Sequence, residues 1–68
     1  MQITLNGEPA RLTEGQVLTD FLRAQGLDPE QRGFAVAVNR QLIRRADWPT
    51  HALADGDSVE IVNARQGG

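Results

Sequence analysis

No cysteine stands anywhere in the 68 residues, and histidine occurs once, as His51. For so short a chain this is the strongest constraint on the fold. Domains of this size bury only roughly 60% of their unfolded surface and often need disulfides or a bound metal to hold together. Here apolar packing has to suffice, in one domain with a thin core. The same absence excludes disulfides, thiolate zinc sites, iron–sulfur clusters and cysteine nucleophiles, and it fits a reducing compartment.

Packing alone requires amphipathic elements, and the residues supply them. In "MQITL", Met1, Ile3 and Leu5 alternate with Gln2 and Thr4, the period of a half-buried strand. Asn6-Gly7 follows and predicts a type I′ hairpin turn, because both central residues of that turn need positive φ. "EPARL" returns as a second strand, and Pro9, which lacks an N–H, confines it to a sheet edge. The period then changes. Leu18, Phe21 and Leu22 fall on one face of a helix starting between Gln16 and Leu18. Thr13 and Gln16 have capping-box spacing. Gly26 is placed to end the helix, with Leu27 folding back and Pro29 preventing continuation.

"GFAVAVN" is a third strand, with Phe34, Val36 and Val38 on one face and Ala35 and Ala37 on the other, suggesting an interior strand with a close neighbour over the alanines. "RQLIRRADW" is irregular or a short strand anchored by Leu42, Ile43 and Trp48. After a turn at Asp55-Gly56-Asp57, a last strand turns Val59 and Ile61 inward. The expected order is β-β-α-β-(short β)-β, an α+β chain whose helix packs across one sheet face. The last strand lies most simply beside the first, in the middle of the sheet.

Few residues can carry chemistry. The net charge of −2 has the wrong sign for a protein that binds through phosphates, so no nucleic-acid partner is expected. No run approaches the ~20 apolar residues of a membrane span. "MQITLNGE" lacks the order of a signal peptide, so a cytoplasmic location is expected. All seven basic residues are Arg, and without Lys there is no phosphate-binding GxxxxGK[ST] loop. Asp55 and Asp57 are too few for a calcium loop and read as a turn. His51 has no motif partner, so no catalytic set and no metal site can be named. Arg40, Arg44 and Arg45 form the only local basic cluster; with Trp48 they are candidates for docking an acidic partner. What remains is the final Gly67-Gly68, just past the last strand.

The "NG" hairpin, "EGQVLTDFLRAQG", "AVAVNRQLIRRADWPTHALADGDSVEIV" and the closing "GG" resemble, in order and over essentially the whole chain, the ThiS family. These are the small sulfur carriers of thiamin (thiazole) biosynthesis. The resemblance implies a ubiquitin-like β-grasp fold, with a mixed four- to five-stranded sheet packed on one main helix. Residues 1–63 would form the domain and residues 64–68 a flexible tail. Val17 departs from the pattern, standing where many relatives have a capping Thr or Ser, and "NARQGG" is more polar than the usual tail.

The resemblance also implies the chemistry. An E1-like, ThiF-type enzyme would use ATP and Mg²⁺ to adenylate the Gly68 carboxylate. A persulfide from a cysteine desulfurase or another donor would turn it into a thiocarboxylate, and a ThiG-type thiazole synthase would take the sulfur. Ala64, Arg65, Gln66 and Gly67 would thread partner active sites, reaching about 17 Å at ~3.3–3.6 Å per residue. The chain itself would be no enzyme and would bind no cofactor. Two other readings stay open: a molybdopterin-type carrier or ubiquitin-like modifier, and a non-covalent β-grasp interaction module using the Arg cluster.

Overall fold

The computed structural model describes residues 1–63. The expected tail, Ala64, Arg65, Gln66, Gly67 and Gly68, lies outside the described residues. The chain runs β1 (Gln2–Leu5), β2 (Glu8–Arg11), α1 (Leu18–Ala24), β3 (Phe34–Val38), β4 (Gln41–Ile43), a 3-10 helix (Arg45–Thr50) and β5 (Ser58–Asn63). The strands form one five-stranded sheet in the order β2-β1-β5-β3-β4. β1 and β5 are parallel and the other neighbours antiparallel, so the sheet is mixed, with the last strand at its centre as expected.

The first hairpin follows its turn chemistry. Asn6 and Gly7 have φ of 52° and 84°, the pair of positive values a type I′ turn requires. Leu5 and Glu8 flank the turn as a pair, which puts Thr4 opposite Pro9 at a position without ladder bonds. The proline nitrogen therefore faces the free edge, where its missing N–H costs nothing.

Helix α1 ends as the sequence indicates. Leu27 N–H donates to the Leu22 carbonyl (2.9 Å) and Gly26 N–H to that of Arg23 (2.9 Å), the paired bonds of a Schellman motif. Gly26 has φ 85°, and Leu27 packs back on the core. The start is different. The residue before the helix, Val17, gives no side-chain cap. Gln16 Oε1 does accept the Thr13 N–H (3.2 Å), but that closes a turn ahead of the helix. The first helical donor is satisfied from a distant segment: Leu18 N–H bonds the His51 carbonyl (2.8 Å), and Leu53 N–H returns a bond to Gln16 (3.0 Å). A two-residue bridge thus replaces the missing cap.

The core lies between α1 and one sheet face. Leu18, Phe21 and Leu22 of the helix meet Ile3, Val36, Val38 and Val59 of the strands, closed at the ends by Leu12, Trp48 and Leu53. The other sheet face carries Ala35, Ala37, Leu42, Glu60 and Val62, as the register dictates. Two expectations change here. Among the described residues no second layer covers the alanines; Ala37 is shielded by its cross-strand partners Leu42 and Glu60. Leu42 is no core anchor: it is 68% exposed, because in a period-two strand only Ile43 of the pair can face inward.

Candidate functional site

The candidate site is the end of β5, because that strand leads to Gly67 and Gly68. β5 is held on both sides over its first half. Val59 is fully buried and pairs with Leu5 of β1 and Val38 of β3. The β3 pairing runs on to Asn63, opposite Phe34. The β1 pairing stops at Val59, where the chain turns away through Asn6. On the outward face Val62, 53% exposed, sits next to the last of the described residues.

The turn that starts β5 is densely bonded. Asp55 Oδ1 accepts the Gln2 N–H (2.7 Å). Asp57 accepts the Ala54 N–H through Oδ2 (2.9 Å) and the Asn39 side-chain amide through Oδ1 (3.0 Å). Asn39 Oδ1 in turn accepts the Ser58 N–H (3.0 Å). Both carboxylates of the Asp-Gly-Asp turn are thus occupied in closing a loop, which is how charged oxygens hold backbone donors in place. They tie the base of β5 to β1 and to the β3–β4 hairpin.

The candidate docking residues separate in space and in task. Arg40 sits in the turn between β3 and β4 with φ 69°, and Arg44 precedes the 3-10 helix; both are exposed. Neither side chain has a hydrogen bond or ion pair among the described residues. Arg45 is engaged. Its guanidinium donates to the carbonyls of Pro29 and Phe34 and lies 4.2 Å from the Trp48 ring centre and 5.1 Å from that of Phe34. Trp48 is 3% exposed, stacks on Phe34 at 5.5 Å, and its Nε1–H donates to the Ile43 carbonyl (2.9 Å). Arg45 and Trp48 therefore pin the loop before β3 onto the core, leaving Arg40 and Arg44 as the free cations of the cluster among the described residues.

That division has a measurable consequence. Arg45→Ala is expected to lower stability by about 1–2 kcal/mol, since it removes a charged double donor and a cation–π contact. Arg44→Ala, with no partner to lose, should stay within about 0.5 kcal/mol of the parent. Urea unfolding of the two variants checks this pair.

A parallel pair of end strands at the middle of a mixed sheet, with one helix across its face, is the β-grasp architecture. A family model described as "ThiS family" matches residues 3–68. The chain is 34% identical to the sulfur carrier protein ThiS of Escherichia coli over 68 residues, the full length of both. It is 41% identical to the sulfur carrier protein ThiS of Thermus thermophilus over 66 residues, covering 97% of this chain and 98% of that one. The crystal structure of a thiamine biosynthesis protein (ThiS) from Geobacter metallireducens superposes with a TM-score of 0.85 at 27% identity, over the whole of both chains. Fold and relatives together define a ubiquitin-like β-grasp sulfur carrier. The chain belongs to the ThiS family of sulfur carriers.

Sequence reasoning missed the side chains of Asn6 and Asn39. Each bonds a β5 amide from far along the chain. A local signal existed, because asparagine is one of the few residues that tolerates positive φ. Nothing local told what its amide would reach.

Proposed function

We propose that this chain carries sulfur as a thiocarboxylate on Gly68 for thiazole formation in thiamin biosynthesis. The observation that carries the proposal is the family match, which runs through residue 68 and so includes Gly67-Gly68, on a chain whose last strand is central in the sheet.

A carboxylate at neutral pH is a poor electrophile, because its charge is shared over two oxygens. In the proposed sequence, a Gly68 carboxylate oxygen attacks the α-phosphorus of MgATP on an E1-like partner, and pyrophosphate leaves. The acyl-adenylate is then attacked at its carbonyl carbon by the terminal sulfur of a partner persulfide, and AMP departs with the bonding pair. A thiol reductant supplies two electrons to cleave the resulting S–S bond, leaving the thiocarboxylate. Its sulfur is the nucleophile delivered to a thiazole synthase. ATP, Mg²⁺ and the thiol chemistry all belong to partners in the cytoplasm.

Glycine suits both terminal positions, because a narrow partner channel leaves no room for a Cβ and glycine adopts any φ/ψ that the channel imposes. The test is intact mass after incubation with ATP, an activating enzyme and a persulfide source. The expected result is a gain equal to one oxygen replaced by one sulfur, with the change mapped to Gly68 by fragmentation. An unchanged mass, while the same mixture loads the Escherichia coli relative, would overturn the proposal.

A further inference from the structure

We infer that the Asn6 side chain is a positioning residue for sulfur transfer: it extends the β1–β5 ladder by one step and thereby fixes where the reactive end of the chain leaves the sheet. The inference rests on Gly68 being the loaded residue, as proposed above.

The bonding pattern of β5 leads to it. Val59 and Ile61 turn their backbone groups toward β1, while Ser58, Glu60 and Val62 turn theirs toward β3, as alternation along a strand requires. The Val59 carbonyl accepts the Asn6 N–H at 2.8 Å. There β1 ends, and Asn6 and Gly7 swing the backbone away into the hairpin turn. The next donor along β5 on that side is Ile61 N–H, with no β1 carbonyl left to meet it. Asn6 Oδ1 takes that place, accepting the Ile61 N–H at 2.8 Å. One residue thus makes two successive rungs, the first with its backbone and the second with its side chain.

The consequence concerns geometry at a distance. With the clamp, Ile61 is the last residue held from both sides, and Gly68 lies seven residues further on, a reach of roughly 23–25 Å at ~3.3–3.6 Å per residue. Without it, the doubly held length ends at Val59, and the final residues of β5 hang from β3 alone. A partner enzyme must then order more backbone to bring Gly68 to its active site. That weakens productive binding and leaves the chemistry at Gly68 untouched.

Two substitutions separate the clamp from the turn. Asn6→Gly keeps a residue that accepts positive φ and removes the oxygen, whereas Asn6→Asp keeps both the φ tolerance and an acceptor oxygen. Each is compared with the parent by amide exchange at Ile61 and by steady-state loading of the full chain by an E1-like activating enzyme. The expected result for Asn6→Gly is fast exchange at Ile61 and a KM raised roughly threefold to tenfold, the scale of one lost hydrogen bond, with kcat unchanged. Asn6→Asp is expected to restore slow exchange and the parent KM. Slow exchange at Ile61 in Asn6→Gly, or fast exchange with an unchanged KM, overturns the inference. A parent chain that gains no sulfur refutes the carrier reading instead, and takes the functional half of this inference with it; the exchange measurement still decides whether the clamp exists.

Discussion

A chain lacking Gly68, or carrying one residue beyond it, is expected to fold as the parent does and to gain no sulfur. The first half follows from where the packing lies. Among the described residues, the core and the hydrophobics packed against it all fall between Ile3 and Ile61. Urea unfolding of the parent, the Gly68 deletion and the one-residue extension should therefore agree within the roughly 0.5 kcal/mol typical of surface changes. The second half follows from positioning. Reacting atoms must be held about 3–3.5 Å apart, and a displacement near 1 Å can cost about a hundredfold. One residue more or less moves the carboxylate by ~3.3–3.6 Å. Loading measured by intact mass should fall below detection in both variants. A variant that loads to completion at the parent's rate would remove Gly68 from the reaction.

Phe21→Ala is expected to leave little folded protein at room temperature. Phe21 is fully buried at the centre of the only α-helix of the described residues, facing the sheet. Truncating a buried phenylalanine costs about 3–5 kcal/mol, part lost transfer energy and part residual cavity. A domain of this size has about 3–10 kcal/mol in all, at ~0.05–0.15 kcal/mol per residue. No disulfide is present to limit the loss. Circular dichroism should show a melting transition shifted far below that of the parent or absent altogether. Loading should fall in proportion to the folded fraction, which distinguishes this variant from those at Gly68, where folding persists and loading alone is lost.

The sequence made the short-range decisions legible. Asn6-Gly7 named its own turn type, Gly26 its own helix stop, and Pro9 its own place at an edge, because each depends on φ or on a missing N–H within a few residues. Alternation in β3 and β5 was equally readable, and it assigned Val36, Val38 and Val59 to the core. Decisions taken across the sheet were hidden. Nothing near Val17 says that the start of α1 is completed by the carbonyl of His51. Nothing near Arg45 says that its guanidinium will cover Trp48 while its neighbour Arg44 makes no side-chain hydrogen bond or ion pair among the described residues, although the two have the same side chain. Leu42 and Ile43 are equally apolar, and only the register of β4 against β3 decides which faces inward. As for the site, Gly68 is a proposal drawn from sequence by elimination and by resemblance, and it lies outside the described residues. The Asn6 clamp could not be drawn from sequence, because its partner Ile61 lies 55 positions away.

The parallel pairing of β1 with β5 joins Thr4 to Ser58 and Leu5 to Val59, residues 54 positions apart in the chain. A contact of such sequence separation requires the long loop between its partners to be closed, at an entropic cost. The central strand is seated on both sides only once the two ends of the described chain have met, and it is the strand that leads in sequence to Gly68. If Gly68 is the loaded residue, as proposed, its delivery depends on β5 being paired with both β1 and β3. Under the proposed carrier role, a partly assembled chain would offer its final residues no firm base, and an activating enzyme that needs them held in one direction would load finished carriers in preference to unfinished ones.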